Sequence, residues 1–130
     1  MLISKSEYML YLKHPAWLWI KKHEKRLLPP IDEALQARFD EGNAFEPFVE
    51  SLYPNLIRLG FNNYSEYLEM PNKTIEAWDN GAQVVSQGRY ESDSITCISD
   101  IVSKEDDAYV LTEIKSSSSA KKEHALDLAF

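Results

Sequence analysis

The residues best suited to chemistry lie in two apolar segments towards the end of the chain. Asp100 stands between Ile98 and Ile101, and Glu113 belongs to the run Thr112-Glu113-Ile114-Lys115. An unpaired charge among apolar neighbours is costly, so each carboxylate is expected to have a cationic partner. Residues two apart on a strand share a face and lie roughly 6.5 Å apart along the strand. Glu113 and Lys115 should therefore point the same way.

A hairpin between the two segments would bring Asp100 across from Glu113, with the polar residues 104–107 as its turn. Two carboxylates beside an ammonium form a hard-oxygen site for Mg²⁺. The metal would lower the pKa of a bound water and polarise a phosphate oxygen. Lys115 would orient or help deprotonate that water, or stabilise the charge that develops on the phosphoryl group. A salt bridge from Lys115 to Asp100 or Glu113 explains the same residues without a metal.

Length and composition bound the class of protein. A chain of 130 residues that is 44% hydrophobic and 12% aromatic has the size and apolar content of one packed domain. No apolar run is long enough to span a membrane and the first residues do not form a secretory signal, so we expect a cytoplasmic protein without a membrane partner. The single cysteine, Cys97, excludes an intrachain disulfide and an all-cysteine zinc or iron–sulfur site within one chain.

The net charge of −7 is unevenly distributed. Residues 1–30 carry six basic and two acidic side chains (+4), whereas the rest of the chain carries eight basic and nineteen acidic side chains (−11). A basic helical arm over 1–30 could contact a polyanion such as DNA or RNA, while the acidic body could hold cations. A solvated helix face is the plainer interpretation of the same charges.

The first half of the chain is predicted to be helical. Ser4 and Glu7 form a capping box that starts one helix, and His14-Pro15 ends that helix and starts a second. Asp32 is a plausible N-cap for a longer helix that reaches Leu52, with a kink or restart at Pro47.

The second half is predicted to hold the sheet. Residues 56–63 read as a short strand and a turn, and residues 64–81 as a less regular segment with a short helix over 72–79. Three strands over 82–91, 95–103 and 108–116, joined by short polar turns, indicate an antiparallel meander. Residues 120–130 have helical periodicity without a stop signal, which is typical of a truncated chain.

Several of these segments resemble one family of enzymes. Asp100-Ile101-Val102 followed by Thr112-Glu113-Ile114-Lys115-Ser116-Ser117 is similar to the core of the PD-(D/E)xK nuclease superfamily, in the form found in RecB-like and Cas4-like exonucleases. Gly42-Asn43-Ala44-Phe45-Glu46 looks like the first motif of that family. Residues 121–130 look like the start of the helix that follows the Glu-x-Lys strand.

The resemblance implies a fold and a reaction. The fold would be α/β and restriction-endonuclease-like, a mixed sheet flanked by helices in the order αβββαβ, without its last strand here. Residues 1–130 would then be a single domain, the N-terminal portion of a longer nuclease whose activity is expected of the full-length protein. The reaction would be hydrolysis of phosphodiester bonds in DNA, or in RNA, with Mg²⁺ or Mn²⁺.

The resemblance also implies roles for individual residues. Asp100 and Glu113 would be metal ligands, and the backbone carbonyl of Ile114 would be a third. Glu46 would complete the site directly or through water, and Lys115 would be the catalytic lysine.

This chain departs from the family pattern at two positions. His14 stands where Cas4-like relatives place a cluster-binding cysteine, so no iron–sulfur cluster is expected, and Ser99 stands where the name motif has proline. Two alternatives stay open. A non-catalytic nuclease-like module that binds nucleic acid or protein would use Asp100, Glu113 and Lys115 only as ion pairs. A structural α+β protein predicts that Glu46 lies far from Asp100.

Overall fold

The computed structural model describes residues 2–130, with Arg38 described by its backbone alone, and a mixed sheet of five strands flanked by helices forms its centre. The strands are β1 (Ile3–Ser4), β2 (Leu56–Arg58), β3 (Val84–Glu91), β4 (Ile95–Glu105) and β5 (Ala108–Thr112). The helices are α1 (Lys5–Lys13), α2 (Pro15–His23), α3 (Glu33–Glu50), α4 (Tyr64–Asp79) and α5 (Lys122–Ala129), with a 3₁₀ turn over Lys25–Leu27. The expected α/β class with a mixed, helix-flanked sheet is confirmed.

The antiparallel meander is also confirmed. β3 pairs with β4 and β4 pairs with β5, both antiparallel, and a two-residue turn at Asp106 and Asp107 joins the second pair. Asp106 takes a left-handed conformation with φ of 52°, which short hairpin turns require. β2 pairs with β3 in parallel. β1 pairs in parallel with the start of β4, and β5 pairs with a later part of β4. The β1 pairing was not predicted.

The predicted capping box at the start of α1 is present. The Ser4 hydroxyl accepts from the Glu7 amide at 3.3 Å, and the Ser4 amide donates to Glu7 Oε2 at 3.0 Å. His14 ends α1 and caps α2, where its Nδ1 accepts from the Ala16 amide at 3.2 Å. α1 packs against α2, β1, β4 and α5, so the helical part of the basic segment is built into the fold.

α3 begins where it was predicted, because Asp32 accepts from the Leu35 amide at 2.7 Å. The helix continues through Pro47 as one element and ends three residues later, rather than restarting there.

The prediction of a less regular segment is wrong for residues 64–71, because Tyr64–Asp79 form one long helix, α4. The predicted short helix over 72–79 is the second half of α4, and α4 ends at Asn80 as predicted. Asn63 caps the helix by accepting from the Glu66 amide at 3.0 Å. Pro71 lacks the amide that would bond to the Tyr67 carbonyl one turn earlier. Arg89 Nη1 donates to that carbonyl at 2.6 Å instead, so the proline leaves no unsatisfied acceptor in the helix.

α4 covers β3 and supplies much of the core. Its residues Met70, Thr74 and Ala77 are buried at helical spacing, and Val85 and Ile101 of the sheet are fully enclosed. Among residues 2–130, none of the helices combines the length and the apolar character that crossing a membrane requires.

Met70 gives a direct test of this packing. We expect Met70→Ala to lower the free energy of unfolding by about 2–5 kcal/mol, because the side chain is 1% exposed and its removal leaves a cavity. Leu68→Ala on the same helix, where the side chain is 54% exposed, is the control and should change stability by less than about 0.5 kcal/mol. Equal losses in chemical denaturation would contradict the assignment of this core.

Candidate active site

The end of the β4–β5 hairpin brings Asp100 and Glu113 together. The register that pairs Ile101 with Thr112 places Asp100 opposite Glu113 one step further along, as predicted. The strand itself ends at Thr112, so Glu113 and Lys115 lie in the irregular segment 113–116 and not on β5. Asp100 Oδ2 accepts from the Ile114 amide at 2.7 Å, which holds this segment against β4 in place of a backbone ladder bond.

Glu113 lies between two ammonium groups. Its side chain is 9% exposed, Oε1 accepts from Lys115 Nζ at 2.6 Å, and Oε2 accepts from Lys5 Nζ at 2.9 Å. The prediction that Glu113 and Lys115 point the same way is confirmed. The partner of the Glu113 carboxylate is therefore a pair of lysines, one from its own segment and one from the first residue of α1.

Asp127 of α5 completes what we call the ion-pair cluster, formed by Lys5, Glu113, Lys115 and Asp127. Lys115 Nζ lies 2.6 Å from Asp127 Oδ2, and Lys5 Nζ lies 3.5 Å from Asp127 Oδ1. Sequence reasoning missed Lys5 and Asp127. The sequence indicates that Glu113 is buried and therefore needs cationic partners, but it does not indicate which residues supply them.

The ion-pair cluster keeps both of its lysines positively charged. Burial alone would lower the pKa of Lys115, but the hydrogen bonds to Asp127 and Glu113 raise that pKa above its usual value. The pKa of Lys5 is raised in the same way, with burial opposed by the bond to Glu113 and by the charge of Asp127. Lys115 is thus an ammonium ion near neutral pH, which suits it to stabilising negative charge rather than deprotonating water.

The two carboxylates of the cluster differ. Burial raises the pKa of Glu113, and the nearby charge of Asp100 adds to this effect against the opposing influence of the two lysines. Burial also opposes ionisation of Asp127, yet the hydrogen bond from Lys115 lowers the pKa of that side chain below its usual range. Asp127 is therefore the more firmly ionised partner.

Glu46 of α3 faces the same acidic region. Its pKa is raised chiefly by burial and next by the charge of Asp100, with Arg58 opposing. Gln87 Nε2 donates to Glu46 Oε2 at 3.3 Å, and Arg58 Nη2 lies 4.0 Å from the same oxygen. Glu46 thus contacts Gln87 and Arg58, and the charge of Asp100 adds to the rise in its pKa.

Gln87 lies opposite Asp100 and marks an irregularity in the sheet. Its φ is 54°, between the register pairs Ser86–Ile101 and Gly88–Ser99. A left-handed conformation costs a residue with a Cβ about 1–2 kcal/mol and is concentrated at functional sites.

The acidic side chains do not form a closed ligand set. In the part of the chain that the structure describes, no three carboxylate, histidine or cysteine side chains are gathered closely enough to hold a metal ion. Glu113 is turned towards its lysines, and Asp100 towards the Ile114 amide. The charge of Glu50 also raises the pKa of Glu46. Oε1 of Glu50 is buried without a hydrogen-bond partner among the described residues. Within this part of the chain it is therefore a buried acceptor without a donor.

A cleft of about 450 Å³ opens beside Lys115. The cleft is lined by Ser117, Ser118 and Ser119 of the segment that leads into α5. Lys121, the N-cap residue of α5, and His124 and Ala125 of the helix also line it. Hydroxyl, ammonium and imidazole groups thus surround a space that adjoins the cluster.

No protein-family model, curated protein or solved structure matches this chain. The chemistry of the site therefore has to follow from its own residues and their geometry.

The nearness of Glu46 to Asp100 can be measured directly. Asp100→Asn removes one of the charges that raise the pKa of Glu46, so that pKa should fall in an NMR titration that follows the side-chain carboxyl carbon. Asp93→Asn changes the net charge equally at an exposed hairpin residue and should leave the Glu46 pKa unchanged. If Asp100→Asn has no effect either, the two carboxylates do not share a site.

Proposed function

We propose that the protein is a metal-dependent nuclease with a restriction-endonuclease-like fold, related to the PD-(D/E)xK superfamily, which hydrolyses phosphodiester bonds in DNA. One observation carries the proposal: Asp100 and Glu113 meet at the end of a hairpin, where Asp100 accepts from the Ile114 amide next to Glu113 and Lys115 contacts Glu113. The pKa of Glu46, which lies on a separate helix, is raised by burial and also by the charges of both carboxylates.

Part of the topology supports the proposed fold. The meander β3–β4–β5 is followed by a helix, α5, as in the order that the resemblance implies, whereas β2 and α4, between α3 and the meander, are additions to that order. The left-handed conformation of Gln87 supports a site at this position, because such residues are concentrated at active sites.

The donor groups suit a hard divalent cation. Asp100 and Glu113 would hold Mg²⁺ or Mn²⁺ through carboxylate oxygens with the Ile114 carbonyl as a third ligand, and Glu46 would complete the set directly or through water. The buried Glu50 Oε1, which has no hydrogen-bond donor among the described residues, supports a cation in this region. When bound, the ion would polarise a phosphate oxygen and lower the pKa of a water.

The other residues have roles that do not depend on the metal. Lys115 remains an ammonium ion and would stabilise the negative charge that builds up on the phosphoryl oxygens. Asp127 holds Lys115 in place at 2.6 Å. Asp100 fixes segment 113–116 through the Ile114 amide, so the groups that meet the substrate stay positioned before it binds.

The cleft beside Lys115 suits a phosphate backbone. Ser118 and Ser119 offer hydroxyl groups, Lys121 offers a cation, and the N-terminus of α5 favours anions. Binding through such contacts depends strongly on salt concentration.

A non-catalytic module that binds nucleic acid or protein is the second candidate, and the ion-pair cluster favours it. Both oxygens of Glu113 already have ammonium partners, which satisfies the buried charge without a metal. This candidate predicts that the wild type and Asp100→Ala bind Mn²⁺ equally poorly.

A combined binding and cleavage experiment separates the two candidates. The nuclease should bind Mn²⁺ in calorimetric titration and cleave linear DNA with Mn²⁺ but not with EDTA. We expect Asp100→Ala to abolish metal binding, and both Asp100→Ala and Lys115→Ala to lower the cleavage rate by at least about 10²-fold.

Asp107→Ala is the matched control, because it removes an exposed carboxylate from the turn of the same hairpin. It should retain metal binding and cleavage. A wild-type protein that neither binds Mn²⁺ better than Asp100→Ala nor cleaves DNA would reject the nuclease and favour the module.

A further inference from the structure

We propose that the protein forms a symmetric dimer in which the basic end of α2 in each copy covers an apolar side of α3 in the other copy. The basic end comprises Trp19, Lys25, Arg26 and Leu27, from α2 and the 3₁₀ turn that follows it. The inference is independent of the proposed nuclease function. It assigns an interaction surface and names its partner, a second copy of this chain.

α3 leaves one apolar side uncovered. Leu35, Phe39 and Glu46 are spaced four and seven residues apart, so they lie on the same side of the helix. At Glu46 this side meets the sheet, through the hydrogen bond from Gln87. Leu35 and Phe39 are 41% and 48% exposed, and no other helix or strand among the described residues packs closely against α3. The first half of α3 therefore exposes to solvent the side that its second half turns to the sheet.

Acidic residues beside this apolar side indicate the charge of its partner. α3 carries five acidic residues and one basic residue, and Glu33, Asp40 and Glu41 are exposed next to Leu35 and Phe39 in the chain. Pairing of α3 with a second α3 would bring like charges together, which is unfavourable at an interface. The partner should therefore combine exposed apolar side chains with positive charge.

The basic end of α2 has both properties. Trp19 and Leu27 are 56% and 61% exposed. Lys25 and Arg26 lie between them in the chain and are exposed as well, Arg26 with one hydrogen bond from Nε to Glu24 at 2.9 Å. Tryptophan and arginine are among the side chains most enriched at the centres of protein interfaces. This surface is thus complementary to the uncovered side of α3 in both apolar character and charge.

The two surfaces do not pack together within one chain. α2 is held against α1, and the link from α2 to α3 is extended at both of its ends, with ψ of 137° at Leu28 and 167° at Asp32. Pro29 and Pro30 stiffen this link, because each proline fixes its own φ and restricts the residue before it. A two-fold axis lets each α2 meet the α3 of the other copy instead, in two identical contacts.

Two charge-reversed variants test this pairing in sedimentation equilibrium at micromolar concentration. The wild type should have twice the mass of one chain, which is 15.0 kDa. Lys25→Glu/Arg26→Glu places acidic residues at both surfaces, and Asp40→Lys/Glu41→Lys places basic residues at both. Each variant alone should therefore dimerise at least about tenfold more weakly than the wild type. When the two variants are mixed, opposite charges meet at both contacts, and a one-to-one dimer should form with a stability within about threefold of the wild type.

Lys121→Glu/Lys122→Glu is the matched control. It changes the net charge by the same amount as Lys25→Glu/Arg26→Glu, at two adjacent exposed lysines of another segment. It should dimerise like the wild type. Circular dichroism should show the same helix content in all of these proteins, because every substituted side chain is exposed.

The outcomes are decisive in both directions. A monomeric wild type overturns the inference, and a different protein would then be the partner of α3. If Lys25→Glu/Arg26→Glu dimerises as well as the wild type, α2 does not contribute to the interface and the inference is wrong. An equal loss in the control would show a general effect of net charge and would also overturn it. None of these measurements involves a metal or cleavage of DNA, so the proposed nuclease function is tested separately.

Discussion

The burial of the Glu113 carboxylate is the constraint on which the site depends. A side chain that is 9% exposed keeps a negative charge only if cations compensate the water it has lost. The structure supplies them from distant parts of the chain: Lys5 lies 108 positions away, and Lys115 is held in turn by Asp127 of α5. The ring contact between Tyr8 and Phe130, with centroids 5.1 Å apart, joins the same two helices. The first and last helices are therefore linked through the end of one hairpin.

The sheet shows a second, related constraint at the position of Asp100. The ladder between β3 and β4 lacks one pair there, because the left-handed residue Gln87 stands opposite Asp100. The side chain of Gln87 also contacts α3, because Gln87 Nε2 donates to the Glu46 carboxylate at 3.3 Å. One distorted residue thus connects the sheet to the helix that carries the third acidic group. This is the arrangement expected where backbone strain serves a site rather than stability.

Local signals predicted the local structure well. The capping box of α1, the His14-Pro15 break and the Asp32 cap are each decided within a few residues. The two-residue turn at 106–107, inside the predicted turn 104–107, fixes the register that brings Asp100 and Glu113 together. The errors have non-local causes. The first half of α4 was not predicted, because Pro71 disfavours a helix in the sequence. The sequence does not show that Arg89 of β3 donates to the Tyr67 carbonyl in place of the missing amide. Lys5 and Asp127 escaped prediction because no spacing rule connects them with Glu113.

The choice between an enzyme and a binding module is a matter of energy at Glu113 rather than of residue content. Two ammonium groups at 2.9 and 2.6 Å from Glu113 would compete with any divalent ion there, and Mg²⁺ needs oxygen ligands at about 2.0–2.1 Å. Against two ion pairs, a single carboxylate gives Mg²⁺ little advantage, because Mg²⁺ loses its water reluctantly. A divalent ion prevails only if it also gathers Asp100 and further oxygens at the same point. Asp100 is half-buried and already held at the Ile114 amide, so that gathering needs little movement of the backbone. The cooperation of Asp100 with Glu113, rather than the presence of either residue, is therefore what would make this site catalytic.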